Sequence, residues 1–238
     1  MSTYLSTHRM LHVSRYFFGA DDRPGPSRPT PPTDPQLGRR EILEEVARAL
    51  QAAGPGVTNI QAVVAATPVQ PEEIDQLFGG FSGLLNALVE AVAQSVLAPL
   101  APAGEGADAF LPTLIAFGQR VTNPRTALQL RALYRIAITD TIRDARLGQD
   151  FYARGPGQVL QGLARFLSTA RAAGIPLEGD SHQLASHLMA LLKGYAGLPD
   201  GLAHHEPDDT RSLAEVPGIV GMFCLGIQPE AGHAHAAH

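Results

Sequence analysis

Tryptophan is absent from this 238-residue chain, aromatic residues make up only 6% of it, and there is one cysteine, Cys224. A single cysteine excludes an intramolecular disulfide and fits a reducing compartment. No unbroken apolar run reaches the roughly 18–20 residues that span a bilayer. The N-terminus lacks the apolar core and small-residue cleavage site of a secretory signal. A soluble cytoplasmic protein with no membrane partner is therefore expected. Basic charge is also scarce: the net charge is −5, so the molecule as a whole is not built to cling to polyanions. Catalytic signatures are missing too. There is no phosphate-cradling Gly-rich Lys loop, no HExxH and no GxSxG. "AHHEPDD" (203–209) and "GHAHAAH" (232–238) hold His and acids without metal-ligand spacing. They read as a loop and a frayed tail. No enzyme activity, cofactor or metal is expected.

What is present is helix-forming sequence. Ala, Leu and Gly dominate, and no stretch alternates as a strand would. Residues 1–38 form an arm rich in Pro and Arg, expected to be disordered; "RPGPSRPTPPTDP" (23–35) cannot be a helix or a central strand. From Arg39 the pattern turns helical, with Ile42, Leu43, Val46 and Leu50 on one face. "AAGPG" (52–56) stops that helix, and Thr58 is placed to cap a second one carrying Ile60, Val63 and Val64. "TPVQP" (67–71) breaks the chain again. A third helix starts at Pro71 with Ile74, Leu77 and Phe78 inward, and a long fourth carries Leu84, Leu85, Leu88, Val92 and Val96. Further helices are expected near 107–121, 124–145, 149–173, 181–196 and 211–226, about nine in all. The expected organisation is all-α: a helix-turn-helix unit at 39–81, a larger helical domain at 82–227, and a disordered tail at 228–238.

The stretch "ILEEVARALQAAGPGVTNIQAVVAATPVQPEEIDQLFGGFSGLLNALVEAV" resembles the N-terminal reader of the tetracycline-repressor (TetR) family of bacterial transcription regulators. "LRALYRIAITDTIRDARLGQDFYARGPGQVLQGLARFL" (130–167) resembles one branch of that family's ligand-binding domains. The resemblance implies a homodimer. Each subunit would carry a three-helix DNA reader and a larger domain in which a small-molecule effector changes the spacing of the two readers. By position, the resemblance makes Arg39, Arg40, Thr58, Gln70, Pro71, Glu72, Asp75, Gln76 and Phe81 the DNA-facing residues.

Several of these depart from the family pattern. Pro68 stands where a turn glycine is usual, and Gln70 where a Ser-like cap is usual. Asp75 replaces a tyrosine, Leu77 a basic residue or His, and Phe81 a lysine near the start of the fourth helix. Residues 41–98 carry seven acids and one base, Arg48, for a net of −6. Phosphate contacts supply much of the affinity for duplex DNA and normally use Lys and Arg. Residues 1–40, by contrast, are net +3, and such arms can reach a minor groove. Two readings follow. One is an effector-controlled regulator, a repressor by family habit, whose DNA affinity draws on the arm. The other is a protein of the same fold that has lost DNA binding and serves as a ligand-binding or partner-binding module. Clustering of Arg39, Arg40 and Arg48 beside the third helix favours the first. A third helix presenting only Gln70, Glu72, Glu73, Asp75 and Gln76 favours the second.

Phe110, Leu114, Phe117, Leu130, Tyr134, Ile138 and Phe166 are the candidate lining of an effector pocket, Tyr134 because a buried hydroxyl needs a partner. Arg131 and Arg135, one turn apart, read as exposed charges. The two most apolar late helices correspond to the family's dimer helices. That places Leu188, Met189, Leu192, Ile219, Met222 and Phe223 at the interface.

Overall fold

The computed structural model describes residues 35–227 apart from 55, 102–105, 143 and 203–208. The arm 1–34, the tail from 228 and most of the His-containing loop lie outside the described residues. Among the described residues all regular structure is helical: ten α-helices and one short 3-10 turn. That is one helix more than the sequence suggests, because the segments expected at 124–145 and 149–173 resolve into three.

The first helix, α1 (Pro35–Ala53), begins four residues before the expected start and buries Gly38, Ile42, Val46 and Leu50. α2 is short (Ile60–Val64), and its cap is Asn59 rather than Thr58. The Asn59 side chain accepts from the Gln61 amide at 2.8 Å, satisfying a donor that the first helical turn leaves open. The turn that follows is held by Thr67, whose hydroxyl donates to the Val64 carbonyl at 2.7 Å and accepts from the Val69 amide at 3.3 Å. α3 (Pro71–Phe78) starts on a proline and closes on Gly79 at φ 72°, a left-handed stop that glycine tolerates without cost.

α4 (Phe81–Leu97) runs through the centre of the molecule, with Leu84, Leu85, Leu88, Val89, Val92, Ala93 and Val96 buried. It packs on α1, α2 and α3 and also on later helices. Gly83 is what lets it come so close to α3. A Cβ there would stand 1.9 Å from the Phe78 carbonyl oxygen. With the 3-10 turn that follows (Ala98–Leu100), residues 81–100 are long and apolar enough, by length and composition, to cross a membrane. Asn86, Glu90 and Gln94 interrupt the run, and its apolar character serves contacts on several sides within the core.

The rest of the fold wraps around α4. α5 (Gly106–Thr122) is followed by α6 (Pro124–Thr141), capped by Asn123, which accepts from the amides of Arg125 and Thr126. α7 (Ala145–Arg154) has its own cap, Asp144, and ends at Gly155, after which Pro156 opens α8 (Pro156–Ala172). These two signals divide the segment that periodicity alone left continuous. α9 (Ser181–Leu202) starts at Asp180, whose carboxylate accepts from the amides of His182 and Gln183 at 3.0 Å each. α10 (Asp209–Gly226) packs on α5 and α9, and α9 packs on α8.

Candidate functional site

Five helices leave a gap between them. α4 supplies Val89, Val92, Ala93 and Val96, and α6 supplies Ala127, Leu130, Arg131 and Tyr134. Each set follows the i, i+3, i+4, i+7 spacing of one helical face. α9 adds Met189, Leu192 and Lys193. Val121 of α5 and the start of α8, at Gly155, Pro156 and Val159, complete the wall. The enclosed volume is about 340 Å³, at the lower end of the roughly 300–1,000 Å³ typical of small-molecule sites. The wall is mostly apolar. Its charged groups are Arg131 and Lys193, and no carboxylate lines it.

Local packing shapes the cavity. Gly155 is buried where α8 begins, and a Cβ on it would meet the Val89 Cγ2 at 2.4 Å. The Tyr134 ring stands edge-on to Phe151 with centroids 5.7 Å apart. Burial, with a smaller contribution from Tyr152, pushes the Tyr134 phenol above its ordinary value, so it stays a neutral hydrogen-bonding group. Burial pushes the Lys193 ammonium below the ordinary lysine value, although the side chain keeps partial access to solvent.

Of the residues expected to line a pocket, the structure brings Leu130 and Tyr134 to this cavity. Leu114 and Phe117 are wholly buried in the core of α5. Phe110 and Phe166 stack on one another with centroids 5.7 Å apart, and Phe110 instead borders a second hollow near Cys224. Ile138 lies on the surface, 64% exposed, and does not reach the cavity. Arg131, read from sequence as an exposed charge, is half-buried in the cavity wall.

Among the residues expected at a dimer interface, Leu188 and Phe223 are buried within the protomer, and Met189 and Leu192 face the cavity. Ile219 is half-buried, and Met222 is 67% exposed. The exposed large apolar side chains of these helices are Leu191 on α9 and Met222 and Leu225 on α10, and Ala190 and Gly218 are exposed as well.

The helix-turn-helix surface is acidic in three dimensions as well as in sequence. α3 exposes Pro71, Glu72, Glu73, Asp75 and Gln76 and buries Ile74. Gln70, at its start, and Thr58 are also exposed. Glu73 has a local role, accepting from the Gln70 amide at 2.8 Å and closing the first turn. The nearby cations are engaged. Arg39 donates to the Leu77 carbonyl and lies 4.4 Å from the centroid of the Phe78 ring. That contact ties α1 to the end of α3. Arg40 pairs with Glu44 at 2.8 Å, and Arg48 pairs with Glu45. Phe81 packs against the core.

Residues 112–226 match the family described as AefR-like transcriptional repressor, C-terminal domain. Among solved structures, a Mesorhizobium loti MAFF303099 protein assigned to the TetR-family transcriptional regulators superposes with a TM-score of 0.62 at 17% identity. That match covers 83% of this chain and 100% of the other. The flavonoid-responsive regulator FrrA superposes with a TM-score of 0.56 at 23% identity, covering 81% of this chain and 100% of that one. No curated protein matches the chain. The structural likenesses show a shared TetR-like fold, and residues 112–226 match a TetR-family regulator's C-terminal domain.

Proposed function

We propose that the chain is a homodimeric, cytoplasmic transcription regulator in which a small molecule in the α4–α6–α9 cavity alters DNA affinity by moving α4. The observation that carries this reading is the double duty of α4. Its first turns pack on the reader helices through Gly83, and its middle lines the cavity through Val89, Val92, Ala93 and Val96. Val92 lies nine residues beyond Gly83, about 14 Å along the helix. A ligand that fits one setting of α4 better than another shifts the population towards it. The homodimer is supported by the exposed Leu191 of α9 and Met222 and Leu225 of α10, since large apolar side chains gathered on a surface mark association sites.

In this reading the arm, expected from sequence to run over 1–38, gives way to the reader where α1 begins at Pro35; 82–227 are the ligand-binding and dimerisation domain, and 228–238 a tail. The arm by itself is net +1, and Arg39 and Arg40 at the start of α1 bring residues 1–40 to +3, which is the positive charge nearest in sequence to the acidic reader. A second reading, a regulator that no longer grips duplex DNA and acts through a ligand or a protein partner, is favoured by one observation. The exposed face of α3 is acidic, and Arg39, Arg40 and Arg48 are already held by neighbours.

The test is binding of the full-length protein to its own upstream DNA against random duplex across a salt series. Specific binding with a steep salt slope supports the first reading. Binding that is absent or indifferent to sequence supports the second.

A further inference from the structure

Lys193 is the only lysine in the chain; the other seventeen basic residues are arginines. It sits on α9 one turn after Met189, and both side chains line the apolar cavity. Arg40, Arg48 and Arg154 each meet a glutamate, whereas Lys193 has no acidic partner among the described residues. The cavity wall brings two cationic side chains, Lys193 and Arg131, to an apolar space with no carboxylate. The wall also includes Gly155 and Pro156, at the start of the 17-residue helix α8, the positive end of that helix's dipole. Lys193 and the start of α8 therefore both bring positive potential to one space. Tyr134 adds a neutral hydroxyl for which no hydrogen bond is present among the described residues.

We infer that the cavity takes an apolar organic monoanion small enough for about 340 Å³, with its carboxylate against Lys193 and its apolar body between α4 and α6. The inference rests on the proposed effector role of this cavity and adds the chemistry of the occupant. An ammonium held partly out of water, with its charged form disfavoured, gains more from an anion than a fully hydrated one does. The aliphatic wall of Val89, Val92, Val96 and Leu130 has only dispersion and burial to offer the remainder of the ligand.

The probes are 2-naphthoate and its neutral isostere 2-naphthamide, titrated by calorimetry into the full-length protein and its Lys193→Met, Lys193→Arg and Ala127→Phe variants. Because Lys193 is the only side-chain amine, trace acetylation read by mass spectrometry reports its accessibility directly, with the terminal amine as internal control. The expected result is that naphthoate binds about tenfold or more tighter than naphthamide, in line with a charge-assisted hydrogen bond. Lys193→Met abolishes that preference, Lys193→Arg retains it, and naphthoate slows acetylation of Lys193. Ala127→Phe, which fills the cavity, removes binding of both. Equal affinity for acid and amide, or a preference that survives Lys193→Met, overturns the assignment while leaving the cavity as a binding site. Failure of both probes to bind, or binding unchanged by Ala127→Phe, overturns the cavity reading and the assignment with it.

Discussion

Reversing the charge on the outward face of α3 tests whether that helix approaches DNA at all. The perturbation is the double variant Glu72→Lys, Asp75→Lys. Both side chains are exposed and neither has a side-chain partner among the described residues, whereas Glu73 is left in place because it caps the helix. The structural cost is small. Glu72 in the first turn is worth about 0.3–1 kcal/mol to the helix, which for a protein of this size lowers Tm by roughly 1–4 °C. The gain appears in the salt dependence. Each phosphate newly contacted steepens the slope of log K against log salt by about 0.9, so two contacts in each of the dimer's two readers add about 3.6. Between 200 and 50 mM salt that steepening is worth about a hundredfold extra gain in affinity. Fluorescence polarisation of a labelled duplex, titrated at four or more salt concentrations, reads the slope. Glu178→Lys, Asp150→Lys, equal in charge and remote along the chain, is the control. If the α3 variant keeps its fold yet its slope matches the control, α3 does not face phosphates, and the reader no longer serves duplex DNA.

Three further outcomes are expected. Because the folded state depresses the Lys193 pKa, the unfolded chain holds a proton that the folded chain lacks between the two values, so stability rises with pH across that window. Thermal melts should therefore find Lys193→Met more stable than the parent at neutral pH, with the difference shrinking as pH climbs towards the ordinary lysine value. Gly155→Ala should cost about 1–3 kcal/mol, since its Cβ would meet Val89 at 2.4 Å; adding Val89→Ala should recover part of that loss in denaturant titrations, and strict additivity would place the strain elsewhere. Met222→Asp with Leu225→Asp, at positions 67% and 74% exposed, should leave the protomer folded and halve the mass seen by light scattering; an unchanged mass removes this face from the interface.

The fold was largely legible because helices announce themselves by spacing and punctuation. α1 to α4 follow their apolar stripes, and the all-α, TetR-like reading stands. The break after α6 was expected close to where it falls, but the division of α7 from α8 was not legible from periodicity. It depends on the Gly155–Pro156 junction, a short local signal inside the segment expected at 149–173. The site was harder for a different reason. Periodicity tells which face of a helix turns inward, not whether the space it faces is filled. Val92 and Val96 therefore read as the apolar stripe of the fourth helix, and Met189 and Leu192 as a dimer seam, although all four border a cavity. Phe117 and Leu114 made the opposite error, being inward residues whose space is fully packed. Lys193, one charge in an apolar helix, carried a signal that sequence reasoning passed over.

The placement of the cavity bears on how a ligand would do work. An effector shifts a conformational equilibrium only by as much as its affinities for the two states differ. A ligand touching one helix has little purchase on such a difference, because the whole site can move with it. Here one wall is α4, which packs on the reader, and the opposite wall is α9, which in the proposed dimer is fixed by the partner subunit. A molecule spanning Val92 on one side and Lys193 on the other therefore measures the separation of the moving element from the fixed one. Its charged end and its apolar end are both satisfied at a single separation. In the proposed reading the charge on α9 would act on the reader through α4, the helix that lines the cavity and packs on α1, α2 and α3.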